Sequence, residues 1–274
     1  MSMKTDRSHS MAPDNTGKNG YRSFWDWTGV HFPSLSSAAS TLYYRECEER
    51  LFRAFFPDLA GRKILKTDLW DEAKNTKILR YAADAGADVY GIDISIEILK
   101  GAEEAFRDGP GRTGFVVSDV RAIAFADGVF DGIYSMGTIE HFKEHGQAVR
   151  ECFRVLRKGG IAVMGVPNAR DPFLRPLLVG ALHRLGLYAY GYEKSFSMKA
   201  LERLLVAEGF EVVDRTGILF IPGWLRMLDL WLHLRGPRLG ALTAPAVRFF
   251  AGLHRKYPGL GRYGYLIVCV VRKP

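Results

Sequence analysis

From residue 62 to residue 166, short apolar runs rich in β-branched residues alternate with stretches whose apolar positions recur at helical spacing. The pattern predicts strands over 63–68, 88–93, 114–118, 130–136 and 160–166. Helices are predicted between them over 72–85, 95–106 and 147–156, and the turn Lys158-Gly159-Gly160 leads into the fifth strand. Strand alternating with helix argues for a parallel sheet covered on both faces. Right-handed crossovers bring the carboxyl ends of such strands to one edge, where open α/β sheets bind ligands. Beyond this core, 198–208 reads as a helix ended by Gly209, 210–214 as a strand, and 263–271 as an apolar final strand.

The flanking segments have a different character. Residues 1–22 are polar and read as a disordered tail, and 23–60 as a helical cap. The cap opens on an aromatic cluster, Phe24, Trp25, Trp27 and Phe32. Its helix, about 36–56, carries Leu42, Cys47, Leu51 and Phe55. The α/β domain then runs from 61 to 274. Within it, 173–187 is an apolar helical stretch interrupted by Pro176, followed by a loop carrying Tyr188, Tyr190 and Tyr192. A helical insertion at about 221–260 is far longer than an ordinary connection. Its first part holds Trp224, Met227, Leu230 and Trp231, interrupted by Arg226, Asp229, His233 and Arg235. Such a segment can form a lid over an apolar substrate, lie shallowly on a membrane through 218–256, or pack on the sheet or in a homodimer.

A chain of 274 residues, 47% apolar and 25% charged, is long enough to bury one full core and needs no staples. Cys47, Cys152 and Cys269 match no metal or redox spacing and read as buried residues of a reducing compartment. The amino terminus lacks the apolar stretch of a signal peptide, and no run of roughly 18 apolar residues occurs. A cytoplasmic protein is expected, with peripheral contact at the inner membrane face if the insertion docks there. The net charge of +8 is uneven: residues 161–274 carry 16 Lys and Arg against 7 Asp and Glu, while the first 160 carry 22 against 23. An Arg-rich, apolar second half suits an anionic substrate or a membrane surface, or else forms a solvated face. Apolar interleaving and the lack of an RNA-binding module speak against nucleic acid.

The candidate chemistry lies at strand ends. Asp93, in G-I-D-I-S, closes the second strand, where a carboxylate can accept hydrogen bonds from both hydroxyls of a ribose. Asp119 closes the third and can accept from an adenine amino group. A single acid at such a place is more often a helix cap, but two at this spacing are a stronger signal.

The runs F-V-V-S-D-V from Phe115, F-D-G-I-Y-S-M-G-T-I-E-H-F from Phe130 and F-R-V-L-R-K-G-G-I-A-V-M-G-V-P-N from Phe153 resemble the class I S-adenosylmethionine-dependent methyltransferases. They are similar to the subgroup acting on small molecules, quinones and glycolipids, over about 63–214. The resemblance implies a Rossmann-like, doubly wound seven-stranded sheet, mostly parallel with an antiparallel last strand. It implies S-adenosyl-L-methionine as the cofactor, with Asp93 on the ribose, Asp119 and Val120 on the adenine, and Ser135 and Met136 near the sulfonium. Thr67, Asp68 and Ile94 join these as cofactor-contacting candidates.

One motif departs from the family. Where the family has V-L-D-x-G-x-G-x-G, this chain reads I-L-K-T-D-L-W-D-E from Ile64. The glycines that let the backbone approach the cofactor's methionine portion are absent, and Lys66 replaces an acid. Asp68, Asp71 or Glu72 can take the cofactor's ammonium instead. Glu140 and His141 follow the fourth strand as candidate acid–base residues, or as capping and packing groups, and His145 is a weaker second base. Tyr190 is a further catalytic candidate, as an aromatic wall and hydroxyl donor at the acceptor site, or else packs against the insertion. A Glu-His pair without a third ligand makes no metal site. The expected function is a transferase methylating an apolar or amphipathic acceptor, such as a lipid-linked, isoprenoid, quinone or polyketide-like molecule. Two alternatives stay open: attack on the cofactor's aminocarboxypropyl portion, and a non-catalytic binding module of the same fold.

Overall fold

Strand β1 (Lys63–Lys66) buries Ile64 in one apolar cluster and Leu65 in another, because successive side chains of a strand point to opposite faces. The computed structural model describes residues 17–109, 111–186, 188 and 190–274. The central sheet contains β2 (Asp88–Asp93), β3 (Thr113–Val117), β4 (Phe130–Met136), β5 (Leu156–Pro167), β6 (Glu211–Ile218) and β7 (Leu266–Arg272). Their order is β3-β2-β1-β4-β5-β7-β6. The first five strands pair in parallel, and β7 runs antiparallel to both neighbours. The expected Rossmann-like α/β fold, with its reversed last strand, is therefore the observed one.

Both faces are covered, as the near-continuous apolar strands require. One face packs against α2 (Ala39–Phe55), α4 (Ile78–Asp84), α5 (Ile96–Phe106) and α11 (Ala244–Lys256). The other packs against α6 (His145–Val155) and α8 (Met198–Ala207). In β7 the sharing is strict: Leu266, Val268 and Val270 join the first cluster, Ile267, Cys269 and Val271 the second. All three cysteines are buried and free. The sheet order reverses between β1 and β4, and the candidate site lies at the carboxyl ends of these strands.

Several element boundaries differ from the sequence pattern. The helix expected over 72–85 is two, α3 (Trp70–Lys74) and α4. Asn75 and Lys77 both donate backbone N–H groups to Asp71 O, Lys77 adopts a left-handed φ of 57°, and the Glu72 carboxylate receives Leu79 N–H at the new helix start. Pro176 does not interrupt the helix expected over 173–187: it lies in the first turn of α7 (Arg175–Arg184), where its missing N–H costs nothing. Gly159 is not a turn before β5 but lies within it, and its N–H bonds to Lys273 O. The sixth strand extends to Ile218. Helix α1 (Gly17–His31) starts inside the stretch read as a tail over 1–22; residues 1–16 lie outside the described residues. The insertion forms α9 (Gly223–Arg235), α10 (Pro237–Gly240) and α11.

Candidate functional site

The loop leaving β1 is built around a buried cation. Lys66 is fully buried, and its Nζ donates to Asp68 O at 3.0 Å and to Asp68 Oδ1 at 2.9 Å, with Asp71 Oδ2 at 3.5 Å. Burial alone would lower the Lys66 pKa, but Asp68, Asp71 and Glu72 outweigh it and hold the ammonium protonated. Burial raises Asp71 and pushes Glu72 up to about 7, with Lys66 opposing both shifts. The glycine-free loop is thus held by side-chain charge.

Leu69, fully buried in this loop, fits because β2 carries Gly91 beneath it: a Cβ there would collide with Leu69 Cδ2. The Leu69 N–H in turn donates to Asp93 Oδ2 at 2.9 Å, and Ser95 N–H donates to Asp93 Oδ1 at 2.8 Å. Burial pushes the Asp93 carboxyl up to about 7, with these two N–H groups opposing the rise. Each of its oxygens retains lone-pair capacity toward the cavity it lines.

That cavity has a volume of about 380 Å³, within the roughly 300–1,000 Å³ range of small-molecule sites. Thr67, Asp68, Asp93, Ile94, Asp119, Val120, Met136, Glu140, His141 and Tyr190 all line it. Ser135 does not: it is buried behind the lining, where it receives the Thr67 hydroxyl at 2.8 Å. Thr138 donates to Asp68 Oδ2 at 2.8 Å and completes that wall. Asp119 is gripped by Arg121, Nε to Oδ1 at 2.9 Å and Nη2 to Oδ2 at 2.7 Å. The Arg121 guanidinium lies 5.2 Å from the Tyr21 ring of α1 and 5.1 Å from that of Phe142. A ligand at this end therefore meets Asp119 as half of an ion pair.

The other end is aromatic. Trp70 packs edge-on against Trp25, Phe32 and Tyr190, at 6.3, 5.5 and 6.0 Å between ring centroids. The aromatic residues Trp25 and Phe32 thus fold over the cavity, whereas Phe24 is buried and Trp27 stacks on His31. His141 lies 5.2 Å from the Trp25 ring, and its Nδ1 is 2.9 Å from the carbonyl oxygen of Tyr192. A carbonyl only accepts, so Nδ1 carries the proton and Nε2 keeps its lone pair. Burial lowers the His141 pKa, so the ring is neutral at neutral pH. Glu140 is different: burial and then Glu193 raise its pKa well above the ordinary value, and its Oε2 has no partner. His145 donates Nδ1–H to Ile139 O at 2.8 Å, packs on Phe196 and does not line the cavity.

Two arginines here had no sequence signal. Arg175 is buried and bidentate with Glu193, at 2.7 and 3.0 Å, and Tyr188 donates its hydroxyl to the same carboxylate. Arg226 enters the cavity wall from α9. Both approach the Tyr265 ring, at 4.1 and 5.2 Å.

A methyltransferase-domain family model matches residues 74–164. A ubiquinone biosynthesis O-methyltransferase of Psychrobacter arcticus is 31% identical over 172 residues, covering 60% of this chain and 65% of that one. The corresponding protein of Methylococcus capsulatus is 30% identical over 195 residues, 69% of this chain and 75% of that one. The chain belongs to the class I S-adenosylmethionine-dependent methyltransferases. It spans 65% and 58% of the length of the Psychrobacter and Sinorhizobium medicae members of this family. In fold, the methyltransferase chain resembles the [4+2]-cyclase SpnF, with TM-score 0.62, 18% identity and coverage of 97% of this chain and 99% of that one. It also resembles magnesium protoporphyrin IX methyltransferase from Synechocystis with bound SAH, with TM-score 0.60, 12% identity and coverage of 94% and 99%. The family's cofactor fits the residues present: paired lone-pair capacity at Asp93, an apolar floor at Val120 and Met136, and carboxylates at Asp68 and Asp71 for an ammonium.

Proposed function

We propose that the chain transfers a methyl group from S-adenosylmethionine to a hydroxyl of an apolar, ring-bearing acceptor. One observation carries this reading: a single cavity joins the strand-end carboxylates to the aromatic chamber around His141. S-adenosylmethionine supplies an electrophilic methyl group on a cationic sulfur and leaves as S-adenosylhomocysteine. The roles proposed here are Asp93 on the ribose hydroxyls, Asp119 and Val120 with Ile94 at the adenine, Thr67 and Asp68 at the amino-acid end, and Met136 on the floor. Trp25, Phe32, Trp70 and Tyr190 enclose the acceptor and exclude water, so holding it in line supplies much of the rate. His141 Nε2 takes the acceptor hydroxyl's proton as its oxygen attacks the methyl carbon. Glu140, held neutral, is a wall of this chamber and not the base. The names of the quinone-pathway relatives support an acceptor of that chemical class.

Mass analysis of products from a panel of catechol-type and polyprenylated phenols tests the reading. Methylated acceptor with S-adenosylhomocysteine is expected. Methylthioadenosine would indicate attack on the aminocarboxypropyl carbon, and no binding of S-adenosylhomocysteine to folded protein would leave a non-catalytic module.

Such acceptors partition into membranes, and we infer peripheral contact through the insertion. No helix among the described residues is long and apolar enough to cross a bilayer. Trp224, Leu228 and Trp231 are exposed at i, i+4 and i+7 along α9, and Phe249 is exposed on α11. Arg238 and Arg248 are exposed beside them. The only acid after Asp214 is Asp229, which is buried between Ser40 N and the Thr243 hydroxyl. Apolar side chains beside exposed cations suit an anionic bilayer. Co-sedimentation with phosphatidylglycerol vesicles, lost on pure phosphatidylcholine or in Leu228→Asp, is expected. No sedimentation with a concentration-dependent dimer instead would assign this face to a second copy of the chain.

A further inference from the structure

Arg226 lies in the first turn of α9, at 5.1 Å from the Tyr44 ring centroid and 5.2 Å from that of Tyr265. It lines the cavity beside Asp71, Asn75 and Tyr190. Its Nη1 is buried without a hydrogen-bond partner, and among the described residues the guanidinium makes no ion pair. The nearby carboxylates are already engaged: Asp71 holds Asn75 Nδ2 at 2.7 Å and Lys66 at 3.5 Å, and Glu193 holds Arg175. An unpaired buried donor is destabilising, and more so when it is charged. A fold keeps such a group at a cavity wall most readily where a ligand completes it. The planar fork of a guanidinium matches the two oxygens of a carboxylate.

We propose that Arg226 is the counter-ion for a carboxylate of the ligand in this cavity. Asp68, which lines the same cavity, presents negative charge and Arg226 positive charge, which is the pairing a zwitterionic amino-acid group requires. The carboxylate therefore belongs either to the amino-acid end of S-adenosylmethionine or to a carboxylated acceptor. In the first case an arginine from the insertion replaces contacts that the glycine-rich loop would have given. The inference rests on reading the cavity as the cofactor and acceptor site.

Calorimetric titration of the full chain and of Arg226→Met and Arg226→Lys tests it, with S-adenosylhomocysteine, 5′-methylthioadenosine, 3,4-dihydroxybenzoate and catechol as probes. For the cofactor source, Arg226→Met weakens S-adenosylhomocysteine at least tenfold and Arg226→Lys less. Methylthioadenosine, which lacks the amino-acid end, stays within twofold, and this difference separates ligand contact from general damage to the wall. For the acceptor source, S-adenosylhomocysteine is unchanged and dihydroxybenzoate loses its advantage over catechol. Equal binding of both carboxylates by wild type and variants, or binding of neither by wild type, overturns the proposal. Wild-type protein that binds dihydroxybenzoate through Arg226 but neither adenosine ligand would sink the cofactor reading and leave this inference standing.

Discussion

The backbone N–H of Leu69 donates to the carboxylate of Asp93 at 2.9 Å, tying the rebuilt loop after β1 to the acid that closes β2. In a glycine-rich loop the main chain itself makes room for a ligand. Here a fully buried leucine anchors the loop, and Gly91 on the neighbouring strand leaves the space its side chain fills. Loop and strand-end acid therefore form one mechanical unit.

Gly91→Ala tests that unit. The added methyl group meets Leu69 Cδ2 and lies within reach of Phe115, so the buried Leu69 side chain that anchors the loop must shift. Overpacking of this kind costs about 1–3 kcal/mol. The expected result is a lowered melting temperature with S-adenosylhomocysteine affinity reduced several-fold, read by thermal denaturation and calorimetry. Gly91→Ala with wild-type stability and affinity would show that Leu69 can move freely.

Asp93 should set the pH dependence of cofactor binding. Its carboxyl, pushed up to about 7 by burial, is ionised at pH 8 and protonated at pH 6. Protonation removes acceptor capacity that two backbone N–H groups already draw on. Affinity for S-adenosylhomocysteine should therefore fall as pH drops through 7. Asp93→Asn should bind about tenfold more weakly at pH 8 and show a flatter profile. Parallel profiles for the two proteins would remove Asp93 from the site.

His141 and Glu140 are adjacent but should behave oppositely. His141→Phe keeps a ring against Trp25 and removes the Nε2 lone pair, so turnover should fall by about 100-fold or more while S-adenosylhomocysteine affinity stays within twofold. Glu140→Gln replaces a carboxyl already held neutral by burial, and turnover should change by less than about threefold. Equal losses of kcat and affinity in His141→Phe would make that histidine a structural group.

The alternation of strand and helix and the strand-end acids were legible because they are local signals. Asp93, Asp119, Met136 and His141 reach one cavity simply because parallel strands deliver their carboxyl ends to one edge. What the sequence hid is long-range. The 72–85 helix breaks because Glu72 turns its carboxylate to Leu79 N–H, a choice that periodicity does not record. Lys66 reads as a lost acid, yet it organises the loop by holding Asp68 and Asp71. Arg175 and Arg226 come from α7 and α9, and nothing in their neighbours' spacing marks a cation that will lie against Tyr265. Ser135 lies on β4 as the pattern predicts, but it faces Thr67 behind the cavity lining and not the cavity itself.

His254 makes the attachment of the insertion sensitive to acid. It is buried, and its Nδ1 lies 2.7 Å from the Tyr43 hydroxyl and 3.4 Å from Arg50 Nη2. The guanidinium can only donate, so Nδ1 must be unprotonated, and the Tyr43 hydroxyl donates to it while accepting Phe220 N–H at 3.1 Å. Burial and then the Arg50 charge push the His254 pKa from 6.5 to about 4, with Glu46 opposing. The unfolded chain takes up this proton near 6.5 and the folded chain only near 4. The stability tied to neutral His254 is therefore complete above pH 6.5 and is lost as pH falls toward 4. His254→Gln cannot titrate, so its melting temperature should start lower at pH 7.5 but fall less between pH 7.5 and 5 than that of the wild type. If both proteins lose the same number of degrees over that interval, the acid sensitivity lies elsewhere, in carboxylates such as Glu46 whose pKa is held low by Arg255.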